Sequence, residues 1–471
     1  AIKKRYIKDK SNMDTYLPTK SNVIIKNTQR KPQEIAIIGS GISGLSAAWL
    51  LSKNNNVHVY EKNSYLGGHS NTVNINYPNP QNKIFPINVD TGFIVYNDKN
   101  YPNLTRFFQK LKIKTINSDM SFSFSIDKGK YEYSGSGLNG IFGQRKNLFK
   151  TSQWKLILDI IKFSKIAKDN IYKNNLNNES LKEWLYKNNF SSSFIYNYIV
   201  PMSASIWSCS TQNIFKFPAN AFLYFFYHHG LLNFRNRPKW KTVKNGSIEY
   251  IKALINNSKF SYQLNSKIKS IIHKNNKIYI EEEDKRKEYD KIIMACHPHQ
   301  VLKKYKNINN KSKEILKLFK YSTNQVILHR SDQYMPKNKK LWSSWNYFTN
   351  KDISEQNNVQ MTYWMNKLQK IDYNYPLFIT LNINNINDID ENLIFKTLKY
   401  KHPIFNKNSL IAQEQLKSIQ GINNIWYSGA WTGYGFHEDG IKSGIFTAEK
   451  LGATCPWKLD MSNKIINDHI V

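Results

Sequence analysis

Gly39, Gly41 and Gly44 form a Gly-x-Gly-x-x-Gly run, and Glu61 closes the next apolar segment about 20 residues on. That spacing suits a diphosphate. The first glycine permits a tight turn, the second lets backbone approach a pyrophosphate, and the third lets a helix pack close to a strand. Ile42 and Ser43 lie between them at the start of a helix whose unpaired N–H groups and dipole favour negative charge. Glu61, with Lys62 beside it, stands where a carboxylate accepts hydrogen bonds from a ribose. Near the other end of the chain, Gly429 is followed by His437-Glu438-Asp439-Gly440-Ile441. His437 is the first candidate proton acceptor, because imidazole titrates near neutral pH; the competing reading is a histidine that only holds its loop.

The elements that must position these residues can be read from the pattern. Ile35-Ala36-Ile37-Ile38 is a short apolar run expected of a strand buried on both faces. Leu45 to Leu51 reads as a helix, Asn54-Asn55-Asn56 as a turn and Val57 to Glu61 as a second strand, completing a βαβ unit. Ile292 to Ala295 and Ile425 to Gly429 repeat the buried-strand form, and Gly440 to Leu451 reads as the last helix. Trp154, Ile157, Leu158 and Ile161 fall at helical spacing, and the chain onward to Tyr227 reads as mostly helical. Lys267 to Ile272 and Lys277 to Glu283 read as strands around Asn275-Asn276, with residues 281–287 as a solvated tip. A second glycine match, Gly135 to Gly140, follows the polar segment Lys130 to Ser134 and is expected to be a loop.

The predicted fold class is α/β: a Rossmann-like domain with a parallel sheet and helices, interleaved with an α+β substrate domain containing a mixed sheet and a helical subdomain. The expected boundaries are a loose basic arm over 1–33, a discontinuous dinucleotide domain over 34–100, 240–300 and 420–455, a substrate domain over 101–239 and 301–419, and a tail over 456–471.

The downstream glycines favour FAD over a nicotinamide dinucleotide. Leu66-Gly67-Gly68-His69 resembles the second glycine pair of the glutathione-reductase-like FAD folds, where backbone passes beside the pyrophosphate and ribityl chain, and Thr91, Gly92 and Ile268 join the expected contact set. A helix opening where the run Gly429 to Gly440 leads into Ile441 to Leu451 would aim its amides at flavin pyrimidine carbonyls.

From Glu34 the chain resembles the flavin amine oxidase and phytoene desaturase superfamily, on the glutathione-reductase-like FAD fold. It looks most like a bacterial branch of FAD proteins associated with cyclopropane-fatty-acid-synthase-like methyltransferases. The closer match runs through Gly67 to Thr72, Val89 to Asn97, Pro201 to Ser208, Trp240 to Ser247, Thr362 to Asn366 and Gly433 to Gly440. The resemblance implies action on lipid acyl chains, with desaturation of methylated fatty acyl groups on the route to furan fatty acids as the nearest activity. Departures count as well: His69 replaces an arginine common after the paired glycines, Ala430 an acidic residue, and His437 an aromatic-cage tyrosine of amine oxidases. The last weakens amine oxidation.

The chemistry expected is hydride removal from a C–H bond, with the protein supplying orientation and electrostatics. Desaturation also needs a proton acceptor, for which His437, Lys244 and Tyr363 are the candidates. Trp240, Trp345, Tyr347, Trp364 and Tyr434 are expected to line a pocket for an apolar chain, against the alternative that such aromatics are ordinary core. Alternatives are a redox-neutral double-bond isomerase or carotenoid-type desaturase, and a non-catalytic, flavin-stabilised lipid-binding protein. The electron acceptor is left unidentified.

Composition narrows the field. Lys and Arg number 68 against 34 Asp and Glu, giving a formal charge of +34. No nucleic-acid motif accompanies it, so the readings are solvated lysine faces or peripheral contact with anionic membrane. Three isolated cysteines offer no Cys-x-x-Cys pair. Cys296-His297-Pro298-His299 cannot complete a tetrahedral site, His228-His229 reads as a cap or cavity wall, and no metal is expected. No apolar stretch is long enough to span a bilayer and no signal-peptide core is present, so a cytoplasmic protein, peripheral at the inner membrane face, is expected.

Overall fold

Ile35, Ala36 and Ile37 are fully buried, as a run apolar on both faces requires. In the computed structural model, which describes residues 31–78, 84–173, 179–349, 360–383 and 385–461, they form the strand Glu34–Ile38 at the centre of a five-stranded parallel sheet. Its spatial order is Ser261–Gln263, Asn56–Tyr60, Glu34–Ile38, Lys291–Met294, Ile425–Tyr427. Ile35 lies opposite Val57 on one side and Lys291 on the other. Strands distant in sequence thus share one edge-to-edge ladder. Most of the basic arm (1–30) and the tail beyond residue 461 lie outside the described residues; from Gln33 the chain forms one compact unit.

The first helix, Ile42–Leu51, is buried along its whole length. It packs on the last helix, His437–Lys450, through positions without side chains. A Cβ at Gly440 would lie 2.6 Å from Ile42 Cγ2, and one at Gly444 would lie 2.2 Å from both the Ser43 carbonyl and Ser46 Oγ. The last helix begins three residues earlier than expected, at His437, because the Asp439 carboxylate accepts hydrogen bonds from the Tyr434 and Phe436 amides and caps its first turn.

A seven-stranded mixed sheet stands apart from the parallel one. Its order is Ile394–Ile404, Lys320–His329, Phe378–Leu381, Met361–Trp364, Trp345–Thr349, Phe122–Ile126, Tyr131–Ser134. Only the Trp345–Thr349 and Phe122–Ile126 pair is parallel. Helices from Thr151 to His228 pack against it in one large apolar cluster that includes Phe163, Trp184, Phe194, Phe222 and Phe226.

Two local expectations need correction. Residues 131–134 are a buried strand, and the second glycine match after it opens the short helix Gly137–Ile141. The segment's polarity is deceptive because Glu132 is satisfied inside the fold, accepting from Ser125 Oγ and the amides of Lys337 and Asn338. In the helix Thr151–Tyr172, the residues that set the apolar period are not all core: Trp154, Leu158 and Ile161 are exposed, while Leu156, Phe163 and Ala167 are buried.

Gly444→Val should wedge the first and last helices apart. Overpacking of this kind costs about 1–3 kcal/mol, so the urea midpoint should fall by the corresponding amount, whereas an unchanged midpoint would refute the contact.

Candidate functional site

The turn after Glu34–Ile38 is built for close approach. Gly39 has φ +109°, and a Cβ there would lie 2.5 Å from the Ala295 carbonyl, while Gly44 would meet the Gly39 carbonyl at 2.0 Å. At Gly41 a Cβ would meet nothing, because that residue faces open space. No side chain caps the first helix, so its opening amides are left to a ligand. Glu61 holds the turn from the side: Oε2 accepts from the Ser40 amide at 3.0 Å and from Ser40 Oγ at 2.6 Å, and Oε1 from the Asn63 amide at 2.8 Å.

These residues open onto a cavity of about 1740 Å³, well above the ~300–1,000 Å³ usual for small-ligand pockets. Of the expected cofactor set, Gly39, Gly41, Ile42, Ser43, Glu61, Lys62, Gly67, Gly68, His69, Thr91, Gly92, Ile268 and Gly429 line it. Gly68 and Gly92 allow the second glycine segment to press against the first turn and against His69, since a Cβ at Gly92 would lie 2.3 Å from the His69 carbonyl. Gly44, Gly440 and Ile441 serve helix packing instead of the cavity wall.

Glu438 and Asp439 also leave the cofactor set. The Glu438 carboxylate accepts from the Asn103 amide, Asn103 Nδ2 and the Leu104 amide, tying the last helix to the start of the helix Pro102–Lys110. Burial pushes its pKa up to about 7. Asp439 is spent on the loop before its own helix, with Lys442 at 3.7 Å.

His437 lines the cavity but is held in a nest. Its ring stacks on Phe93 with centroids 3.7 Å apart, and Nε2 meets Ser70 Oγ at 2.7 Å and the Tyr250 hydroxyl at 3.2 Å. Burial, and then the neighbouring His69, pull its pKa down to about 3. Such a ring is neutral and a weak proton acceptor. Lys244 is exposed in the turn between Trp240–Val243 and the helix Ile248–Asn256, away from the cavity, and what matters there is the following Ser247, whose amide and hydroxyl both donate to buried Asp90. Tyr363 lines the cavity beside Trp345, and burial raises its pKa while a hydrogen bond with Ser208 partly offsets this.

Of the expected pocket residues, Trp240 and Trp345 line the cavity. Tyr347 is core, stacked on Phe124; Trp364 packs edge-on to Trp342 and Tyr373; the Tyr434 hydroxyl donates to the Ala221 carbonyl. None of those three reaches the wall. Sequence reading missed His402 and Tyr400, which come from Ile394–Ile404 and sit 5.5 and 4.9 Å from the His69 ring. Tyr400 binds Thr91 Oγ1 and Asn71 Nδ2. No local pattern marks them, since only sheet pairing carries that strand to the glycine segment. His297, from the motif set aside as a metal site, also lines the cavity, stacked on Tyr321.

Three buried polar atoms on the wall have no partner among the described residues: His69 Nε2, the Tyr321 hydroxyl and Trp345 Nε1. Unsatisfied buried groups are costly, which fits a site completed by a ligand. The uncapped helix, the open face at Gly41 and the orphaned His69 nitrogen together suit the diphosphate and sugar of a dinucleotide.

A family model described as an NAD(P)-binding Rossmann-like domain matches residues 37–111. No curated protein matches the chain closely enough to count as a relative. Among solved structures it is similar to a CLA-producing fatty acid isomerase from P. acnes, at 13% identity and TM-score 0.59, covering 89% of this chain and 98% of that one. It is also similar to wild-type putrescine oxidase bound to putrescine (14%, TM-score 0.60, 89% and 99% covered) and to cyclohexylamine oxidase from Brevibacterium oxydans IH-35A (11%, TM-score 0.58, 89% and 99%). At these identities the likeness is one of fold.

The site's burial makes stability depend on pH in a definite direction. His69, His229, His297, His329, His402 and His437 all have pKa values lowered to about 4 or below, so below pH 6.5 the unfolded chain takes up protons that the folded one refuses. Asp90, raised to about 6, Glu438 and Asp439 act oppositely, gaining stability as pH falls, but they are fewer. The apoprotein should therefore melt at lower temperature at pH 5 than at pH 7.5, and an equal or higher Tm at pH 5 would contradict this. His69→Phe should weaken dinucleotide binding by roughly tenfold in a fluorescence titration, the scale of one hydrogen bond.

Proposed function

We propose that this chain is an FAD-dependent oxidoreductase that removes hydride from a C–H bond of a lipid acyl chain, with a methyl-branched acyl group as substrate. The observation that carries the reading is the continuity of the cavity: the wall that starts at Gly39 and Glu61 runs on to Phe122, Met202, Ile206, Val326, Trp345 and Leu381. One ligand is a diphosphate; the other is apolar.

When bound, FAD would supply the hydride acceptor. The chain's own residues do the rest. The first helix's amides and Gly41 would hold the diphosphate, Glu61 would hold the ribose, and His69 Nε2, unpartnered among the described residues, would meet the cofactor. The apolar stretch lays an acyl chain along its wall and excludes water, and Trp345 Nε1 offers a donor to a substrate oxygen.

Neither His437 nor Tyr363 has a proton affinity matched to neutral pH, since one is lowered and the other raised. That mismatch favours a second reading, a redox-neutral double-bond isomerase in which hydride leaves and returns and no base is needed; the fold likeness to a fatty acid isomerase points the same way.

Anaerobic mixing of the FAD-reconstituted protein with a phospholipid bearing a methyl-branched chain separates the readings. Lasting bleaching of the flavin with a new double bond is expected for dehydrogenation, and a shifted double bond without bleaching for isomerisation. Lipid bound with neither change would leave a binding protein and end the enzyme reading. Trp345→Ala should raise KM for the acyl substrate by about tenfold or more, on the scale of losing a large pocket contact, with kcat less affected.

A further inference from the structure

The helix Thr151–Tyr172 turns apolar side chains outward. Trp154 is 48% exposed, Leu158 63% and Ile161 52%, at positions i, i+4 and i+7 of one face. The chain leading into it adds Leu138 at 70% and Phe149 at 91%. Contacts join these into one surface: the Trp154 indole N–H donates to the Leu148 carbonyl, and its ring lies 5.1 Å from Phe142, one turn after Leu138. An exposed apolar patch of this size calls for a partner.

The charge around it says which. Residues 138–165 hold six basic side chains, Arg145, Lys146, Lys150, Lys155, Lys162 and Lys165, and one acid, Asp159. Asp159 is buried and accepts from the Ser191 amide, so the surface is basic without internal neutralisation. Apolar and aromatic side chains rimmed by lysines match the boundary between headgroups and acyl chains of an anionic bilayer. No described helix is long and apolar enough to cross a membrane, so the fit is to lying on one.

The patch also adjoins an opening of the cavity. Gly135 and Ser136 are exposed and line it, two residues before Leu138. Tyr133, next to them, bonds the Asn197 carbonyl beside Tyr198, and exposed Arg237 and Lys239 belong to the same wall.

We propose that Leu138, Phe149, Trp154, Leu158 and Ile161, with the surrounding lysines, dock the protein on an anionic lipid surface and set the Gly135–Ser136 opening of the cavity against it. The proposal concerns binding and does not rest on the chemistry proposed above, because its readout needs no turnover.

The test is co-sedimentation of the FAD-reconstituted full chain with vesicles of phosphatidylcholine alone or mixed with phosphatidylglycerol. Binding is expected to the mixed vesicles, and to fall by about tenfold or more in Phe149→Ser/Trp154→Ser/Leu158→Ser, with flavin content and melting temperature retained. Lys155→Gln/Lys165→Gln should weaken binding more than Lys311→Gln/Lys313→Gln, which removes equal charge from another surface. Absence of binding by the parent protein, equal binding by the triple variant, or a stable dimer that the triple variant dissolves would each overturn the proposal.

Discussion

Everything at the site depends on how closely the first and last helices approach. Gly440 and Gly444 leave no room for a side chain between His437–Lys450 and Ile42–Leu51, and Gly44 presses its helix onto the turn at Gly39. Two chain segments almost 400 residues apart are thereby locked side by side, so their loops face one space. Close packing of this sort is unforgiving, because a dense interior cannot relax around an added methyl group.

The carboxylates around this contact are structural in effect. Glu438 and Asp439 spend their oxygens on the Pro102 helix and on the loop before the last helix, and Asp90 binds Ser247, Thr72 and Gln369. Each fixes a loop that forms or supports the cavity wall, at the cost of a raised pKa. The histidines around His69 are held neutral by the same dry environment.

The part of the cavity beyond the glycine turns comes from the mixed sheet and the helices packed on it. Val326, Trp345, Tyr363 and Leu381 belong to four of its strands, so the wall is a property of the pairing and not of any one segment. The outward-facing stripe on Thr151–Tyr172 belongs to the same helical region, whose inner face is already filled by Leu156, Phe163 and Ala167. The chain's described residues leave Trp154, Leu158 and Ile161 of its outer face uncovered.

What the sequence determined by itself was what local sterics impose. Glycine where backbone must come close, a continuous apolar run where a strand is covered on both faces, and Glu61 at the end of the second strand were all legible, because each demand falls on neighbouring residues. Tertiary structure decided the rest. Tyr400 and His402 reach His69 only through strand pairing, Tyr347 and Tyr434 turn out to be core, Trp364 is half-buried away from the cavity, and Trp154, Leu158 and Ile161 face outward although their period reads as a packing face. A helical period says that one side is apolar but not which neighbour covers it, and that depends on elements the chain brings together only on folding.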